Sequence, residues 1–155
     1  MLVSNGYKVG ITGRRLELLK EIKSEDPDLY FINNFDIKDT KVSLEKLEEL
    51  ANDLGGLDLL IISSGTGDLN DSLDFEIEKN TIETNVTGFT AIAGWAFKYF
   101  ERQECGHLVA ISSIGGLRGS WQAPSYNATK SYQINYLEGL RQKACLLYTS
   151  DAADE

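Results

Sequence analysis

From Leu57 to Gly65 the chain reads LDLLIISSG, an apolar run interrupted only by Asp58 before it reaches two serines and a glycine. A short run of this kind fits a strand buried on both faces, and such strands belong to sheets covered by helices on both sides. The flanking segments alternate in period. YKVGIT (Tyr7 to Thr12) and LYFINNF (Leu29 to Phe35) read as strands, and the segment RRLELLKEIKSE between them sets Leu16, Leu19 and Ile22 at helical spacing. Val42, Leu44, Leu47, Leu50, Ala51 and Leu54 mark a second amphipathic helix. A long helix is expected over Ile77 to Arg102, GHLVAISS is a fourth strand, and a further helix is expected over Ser125 to Lys143. Strands alternating with helices predict a doubly wound parallel α/β sheet. Ligands of such sheets bind outside the carboxyl ends of the strands, so those ends are where chemistry is sought.

After the first strand, TGRR puts Arg14 and Arg15 at a helix start, where the macrodipole disfavours cations by up to about 1 kcal/mol. They are either a solvated helix start or arginines that face the 2′-phosphate of NADP. The second strand ends in FDI with Asp36, and the third in ISSGTG with Ser63, Ser64, Gly65 and Gly67. Glycines there let a ligand approach the backbone, and they also make ordinary turns. The fourth ends in ISSIGG with Ser112 and Ser113, and a strand-end serine is more often a cap or turn residue than a catalyst. In YNATK, Tyr126 and Lys130 stand four apart on one helix face. Random order would give roughly 0.45 such pairs in a chain of this composition, so the pair alone decides nothing.

A chain of 155 residues is one domain's worth and can bury a core, and its 42% hydrophobic and 25% charged residues are ordinary globular values. The net charge of −9 argues against a nucleic-acid partner and an anionic membrane surface, and favours small-molecule substrates. No apolar run approaches the roughly 18 residues of a transmembrane helix, and MLVSNGYK lacks the build of a signal peptide, so a cytoplasmic location is expected. Cys105 and Cys145 are too few for a disulfide framework, and with His107 the only histidine no metal site is expected. His107 opens an apolar run and is assigned a structural role.

Taken together, TNVTG with Asn85, ISSIGG with Ser113 and YNATK with Tyr126 and Lys130 resemble the short-chain dehydrogenase/reductase family in order and approximate spacing. FDI and TGRR match the family's adenine-side and NADP-side positions, and the resemblance covers about residues 7 to 143. It implies a Rossmann-like fold and an NAD(P)-dependent oxidoreductase that interconverts an alcohol and a ketone or aldehyde. NADP(H) is the preferred cofactor and NAD(H) the second option. By resemblance Tyr126 is the acid in reduction and the base in oxidation, Ser113 hydrogen-bonds the substrate oxygen, and Lys130 binds the nicotinamide ribose. Asn85 holds a water that links Lys130 to solvent. Arg14, Arg15, Asp36, Ser64 and Gly65 complete the cofactor side, although ISSG replaces the family's NNAG. A homodimer or homotetramer is implied for the full-length protein, through the long helix and the helix carrying Tyr126.

The chemistry sets a condition on Lys130. An ammonium about 4 Å from a phenolate is worth about 1 kcal/mol in bulk water and about 4 at an effective dielectric near 20, so it activates a tyrosine only in a shielded cleft. Two alternatives carry the same fold: a non-catalytic cofactor-binding regulator or scaffold, and a nucleotide-sugar-modifying branch with its own Tyr-x-x-x-Lys pair. The complete Asn-Ser-Tyr-Lys set favours an enzyme, and NVTG with ISSIGG favours the simple dehydrogenase branch.

Family members begin with a strand and a glycine-rich turn that cradles pyrophosphate at a helix N-terminus. MLVSNGYKV instead looks like the end of a first helix entering the second strand. The expected fold is therefore an incomplete sheet that lacks its central first strand, with that glycine-rich turn, and its last strands. Residues 1–144 are expected to form a partial NAD(P)-binding domain. CLLYTSDAADE (145–155) is expected to be a non-family tail of artefactual origin, and the chain by itself an inactive fragment.

Overall fold

The computed structural model describes residues 2–150, with side chains as far as Cys145; residues 151–155 of the expected tail lie outside the described residues. The chain divides into two compact units, Met1–Leu59 and Leu60–Glu155. Four strands pair as two two-stranded sheets, one in each unit, rather than as one continuous sheet. The order of strands and helices is the α/β alternation expected from the sequence.

In the first unit a 3-10 turn at Val3–Asn5 ends on Gly6, whose φ of 80° is left-handed and whose N–H returns to the Val3 carbonyl. This is how helices commonly terminate, and it agrees with the expected helix end before the first strand. Strand β1 (Val9–Gly13) then runs parallel to β2 (Tyr30–Asn34), in a register from Val9 opposite Tyr30 to Gly13 opposite Asn34. Both strands fall within two residues of their expected spans.

Helix α1 (Leu16–Glu25) connects them and buries Leu19. Helix α2 (Thr40–Leu54) starts where the Asp39 carboxylate accepts from the Val42 N–H, and it buries Leu47, Leu50 and Ala51 at helical spacing. It lies so close to β1 that a Cβ on Gly10 would stand 2.9 Å from Leu50 Cδ2. Gly55, with φ 82°, ends the helix.

The second unit pairs β3 (Leu59–Ile62) with β4 (His107–Ala110). The expectation that β3 is covered on both faces is corrected here. Ile62 is buried, but Leu59 and Ile61 remain 39% and 46% exposed, so among the described residues only one face is packed. An apolar run records that a strand can be buried twice; the second covering layer has to come from elsewhere.

The expected long helix is also corrected, into three parts. Helix α3 (Phe75–Ile82), capped by the Asp74 carboxylate, passes through a π-helical segment at Glu83–Gly88 into α4 (Phe89–Gln103). Phe89, Ile92, Ala93, Ala96 and Phe100 of α4 form the buried stripe. Helix α5 (Pro124–Ser150) carries YNATK in its first turns and runs beyond the expected end at Lys143, through the boundary at residue 144. His107 opens β4 and is exposed.

Candidate functional site

Within the second unit, three elements converge on the start of α5. The turn after β4 comes first. Ser113 Oγ accepts from the Gly115 N–H at 3.0 Å and so caps the 3-10 turn Ile114–Gly116. Asn127 of α5 holds this turn by donating from Nδ2 to the carbonyls of Gly115 (2.7 Å) and Arg118 (3.0 Å), and the Ser131 hydroxyl donates to the Gly116 carbonyl. Gly116 lies against the Lys130 backbone, where a Cβ would meet the Lys130 carbonyl at 3.0 Å. Glycine is thus the residue that lets the strand end reach the helix.

The segment after β3 supplies the second element. Thr66 is gripped at both backbone groups by the Asn85 side chain, with Thr66 N–H to Oδ1 at 2.9 Å and Nδ2 to the Thr66 carbonyl at 2.7 Å. Asn85 Nδ2 also donates to Thr129 Oγ1 at 3.0 Å, and the Thr129 hydroxyl in turn donates to the Tyr126 carbonyl at 2.8 Å. Asn85 is completely buried, and it sits in the π-helical segment, the third element. Extra-residue turns of this kind occur mostly as isolated bulges, often at functional positions.

The aromatic ring of Tyr126 lies between two glycines. A Cβ on Gly67 would fall 2.2 Å from Tyr126 Cδ2, and one on Gly115 would fall 3.4 Å from Tyr126 Cε1 and 3.3 Å from Ser113 Oγ. Gly115 therefore marks where the serine and the tyrosine come together. Lys130 is buried to 5% exposure, with Nζ 5.8 Å from the Tyr126 ring centroid. Its ammonium donates to the Ile111 carbonyl at 3.3 Å and to Gln133 Oε1 at 3.2 Å. A Cβ on Gly65 would come within 3.2 Å of Nζ and 3.4 Å of Asn85 Oδ1, so Gly65 keeps that side of the ammonium free of side chain. Ser64 beside it is exposed.

The arginines belong to the first unit. Arg14 approaches Asp36 at 3.8 Å with its side chain 71% exposed, while Asp36 Oδ1 accepts from the Lys38 N–H at 2.9 Å. An exposed pair at this distance is worth about 0 to 1 kcal/mol, so the guanidinium is lightly held. Arg15 is exposed and precedes α1 without a side-chain cap. Asn85, Ser113, Tyr126 and Lys130 are thus gathered in one unit with Gly65, and Arg14 and Asp36 meet in the other.

Asn127, Thr129, Gln133 and Gly115 were not singled out from the sequence, although the first two lie inside YNATK. The one signal available was spacing: Gln133 stands three residues after Lys130, on the same helix face. The water-holding role expected of Asn85 meets a busier residue than the motif implied. Its side-chain amide holds Thr66 and Thr129, and its backbone carbonyl accepts from Gln133 Nε2 at 2.9 Å.

Comparison with known proteins finds relatives over most of the chain. An uncharacterized oxidoreductase of Myxococcus xanthus (strain DK1622) is 30% identical over 145 residues, which is 90% of this chain and 57% of the relative. The NADP-dependent 3-hydroxy acid dehydrogenase YdfG of Escherichia coli O6:H1 is 27% identical, over 90% of this chain and 57% of its own length. The closed form of serine dehydrogenase complexed with NADP+ superposes with a TM-score of 0.84 at 26% identity, covering 92% of this chain and 58% of that one. The chain thus spans less than two thirds of the length of these relatives. The family model for short chain dehydrogenases matches residues 1–145, and this chain belongs to the short-chain dehydrogenase family.

Proposed function

We propose that the protein carrying this chain is an NADP(H)-dependent oxidoreductase that interconverts an alcohol and a ketone or aldehyde, with Tyr126 as acid and base. The observation that carries this reading is the meeting of the Ser113 hydroxyl and the Tyr126 ring at Gly115, with the buried Lys130 ammonium 5.8 Å from that ring. Structural relatives with bound NADP+ and an NADP-dependent curated relative support the cofactor.

The residues present fit such a cofactor. Gly65 leaves open the space where a Cβ would crowd the Lys130 ammonium, and two exposed arginines stand after β1 with only a weak carboxylate partner. In the second unit Lys130 and Gly65, with Ser64 beside Gly65, would hold the ribose side; the adenine-side role proposed for Arg14, Arg15 and Asp36 concerns the first unit by itself. A nicotinamide held there would supply or accept the hydride.

The chain's own groups handle the oxygen. In reduction Tyr126 Oη gives its proton to the carbonyl oxygen as negative charge grows there, and in oxidation the phenolate takes the hydroxyl proton back. Ser113 Oγ donates a hydrogen bond to the same oxygen, a donor already fixed by its turn before charge develops. A buried ammonium beside the ring favours the charged phenolate more than an exposed one would, because little water screens it. The implied dimer is supported by the apolar groove that Ile82 and Val86 form with Pro124, Ala128 and Tyr132 of α5.

Tyr126→Phe in the full-length protein is the test. It removes the proton and keeps the ring, so turnover should fall at least about 100-fold while NADPH binding is retained. Turnover at the wild-type level in this variant would end the proposed role of Tyr126.

A further inference from the structure

Lys130 is a buried cation without a carboxylate. The ion pairs of the described residues engage Arg14, Lys20, Lys46, Lys79 and Arg141, and none includes Lys130. A buried ammonium must then be solvated by neutral dipoles, because leaving it bare is very costly. Two such dipoles are present, the Ile111 carbonyl and the Gln133 side-chain amide. The second is the more deeply buried, at 1% exposure, and it does two things at once. Gln133 Oε1 accepts from the ammonium at 3.2 Å, while Gln133 Nε2 donates to the Asn85 backbone carbonyl at 2.9 Å. Chemistry fixes this orientation. A flipped amide would turn its NH2 toward an ammonium and its oxygen toward a carbonyl, two repulsive contacts in place of two attractive ones.

The bridge joins two parts of the site that are distant in sequence, the π-helical segment that presents Asn85 and the helix that presents Lys130. The lysine stem alone, with four rotatable bonds, does not keep Nζ near the Tyr126 ring. An acceptor one turn further along the helix, itself anchored on a neighbouring backbone, supplies that constraint. Besides Gln133 Oε1, the groups facing the ammonium are the Tyr126 ring on its own helix, the Ile111 carbonyl after β4, and Gly65. Tyr126 is the only titratable one among them.

Resting on the function proposed above, we propose that Gln133 is a positioning residue that fixes the Lys130 ammonium beside Tyr126 by bridging it to the Asn85 carbonyl. It touches neither substrate nor cofactor. Its contribution is to keep the cation in register with the phenol and to complete the neutral shell that lets the cation be buried.

The test uses full-length protein carrying Gln133→Leu and, separately, Gln133→Met, both of which roughly keep the volume and delete both polar atoms. Two readouts separate this inference from the function beneath it. The first needs no catalysis: the 15Nζ–Hζ signal of Lys130, assigned by its loss in Lys130→Arg, is slow to exchange in the wild type and vanishes or broadens in Gln133→Leu. The second is the pH profile of alcohol oxidation. In Gln133→Leu the pH of half-maximal kcat rises by at least about half a unit and kcat falls at least tenfold with KM little changed. An unaltered Lys130 signal together with a superimposable pH profile, even with a lowered melting temperature, overturns the inference and leaves Gln133 as a packing residue. Loss of the Lys130 signal in Gln133→Leu, in a protein whose wild type turns over no alcohol or carbonyl with NADP(H), supports the bridge and refutes the proposed function. Should Gln133→Leu fail to fold, Gln133→Met read by the same signal decides: loss supports the bridge, retention overturns it.

Discussion

Gly67→Ala is a one-carbon change that should reach the tyrosine directly. The added Cβ would stand 2.2 Å from Tyr126 Cδ2, 2.6 Å from Cγ and 3.0 Å from Cβ, where ordinary contact begins at 3.4 Å. Ring and loop must separate by about 1 Å or more, well inside the steep wall of the van der Waals potential. The residue itself offers no other reason for harm. Gly67 is not among the positive-φ glycines, Gly6, Gly55, Gly56 and Gly106, so alanine fits its backbone without strain. Two ways of yielding remain. If the ring swings, the phenol leaves its place beside Ser113. If the loop moves, it pulls on Thr66, whose N–H and carbonyl are both tied to Asn85, and on the Asn70 N–H, which donates to the Gln122 carbonyl at 2.8 Å. Breaking those ties costs about 1 kcal/mol each, and overpacking of this kind costs about 1 to 3 kcal/mol in total. A displacement near 1 Å at the reacting group lowers turnover by up to about 100-fold. In full-length protein, kcat with NADPH and a carbonyl substrate should fall by that order, and the melting temperature by a few degrees. Gly119→Ala is the matched control, because nothing lies within 4 Å of its added Cβ, and it should behave as wild type. A Gly67→Ala enzyme within twofold of wild-type kcat would refute the steric reasoning.

Two further outcomes can be measured. Replacing Arg14 and Arg15 together by Ala in the full-length protein should weaken NADPH binding at least tenfold more than NADH binding by calorimetry, and equal losses would reject their 2′-phosphate role. Glu138 is held down to about 2 from its ordinary 4.5, first by its hydrogen bond with Arg141 and then by Gln142. A depressed carboxyl stabilises the fold above its unfolded value and loses that effect as the pH falls. Glu138→Gln should therefore lower the melting temperature slightly at pH 7, with the difference shrinking between about pH 4.5 and 2 and weakened by salt. A difference that persists unchanged to pH 2 would contradict it.

Much of the fold was legible because it follows from period. Strand and helix patterns located β1, β2 and α2 to within a few residues, and the start of α5 to one. The four motif residues were legible because a resemblance carried their order. What period cannot express is contact at long separation. The Asn85–Thr129 bond spans 44 residues and the Gln133–Asn85 bond 48, and neither leaves a mark on the local pattern around it. Gly67 looked like any turn glycine, since nothing near it in sequence announces the ring of Tyr126. The burial of β3 was overestimated for a related reason: Leu59 and Ile61 have apolar character, but character does not supply a neighbour.

The π-helical segment also sets the angular relation between the helices on either side of it. Each residue of an α-helix turns the chain by about 100°, so a wider turn that absorbs an additional residue acts as a phase shifter between α3 and α4. The buried side of α3, at Thr81, and the stripe of Phe89, Ile92, Ala93, Ala96 and Phe100 need not share one continuous heptad-like register. Deleting one residue from Glu83–Gly88 would do more than shorten a helix. It would rotate everything on one side by about a quarter turn, leaving either the apolar stripe of α4 or the amide of Asn85 facing the wrong way.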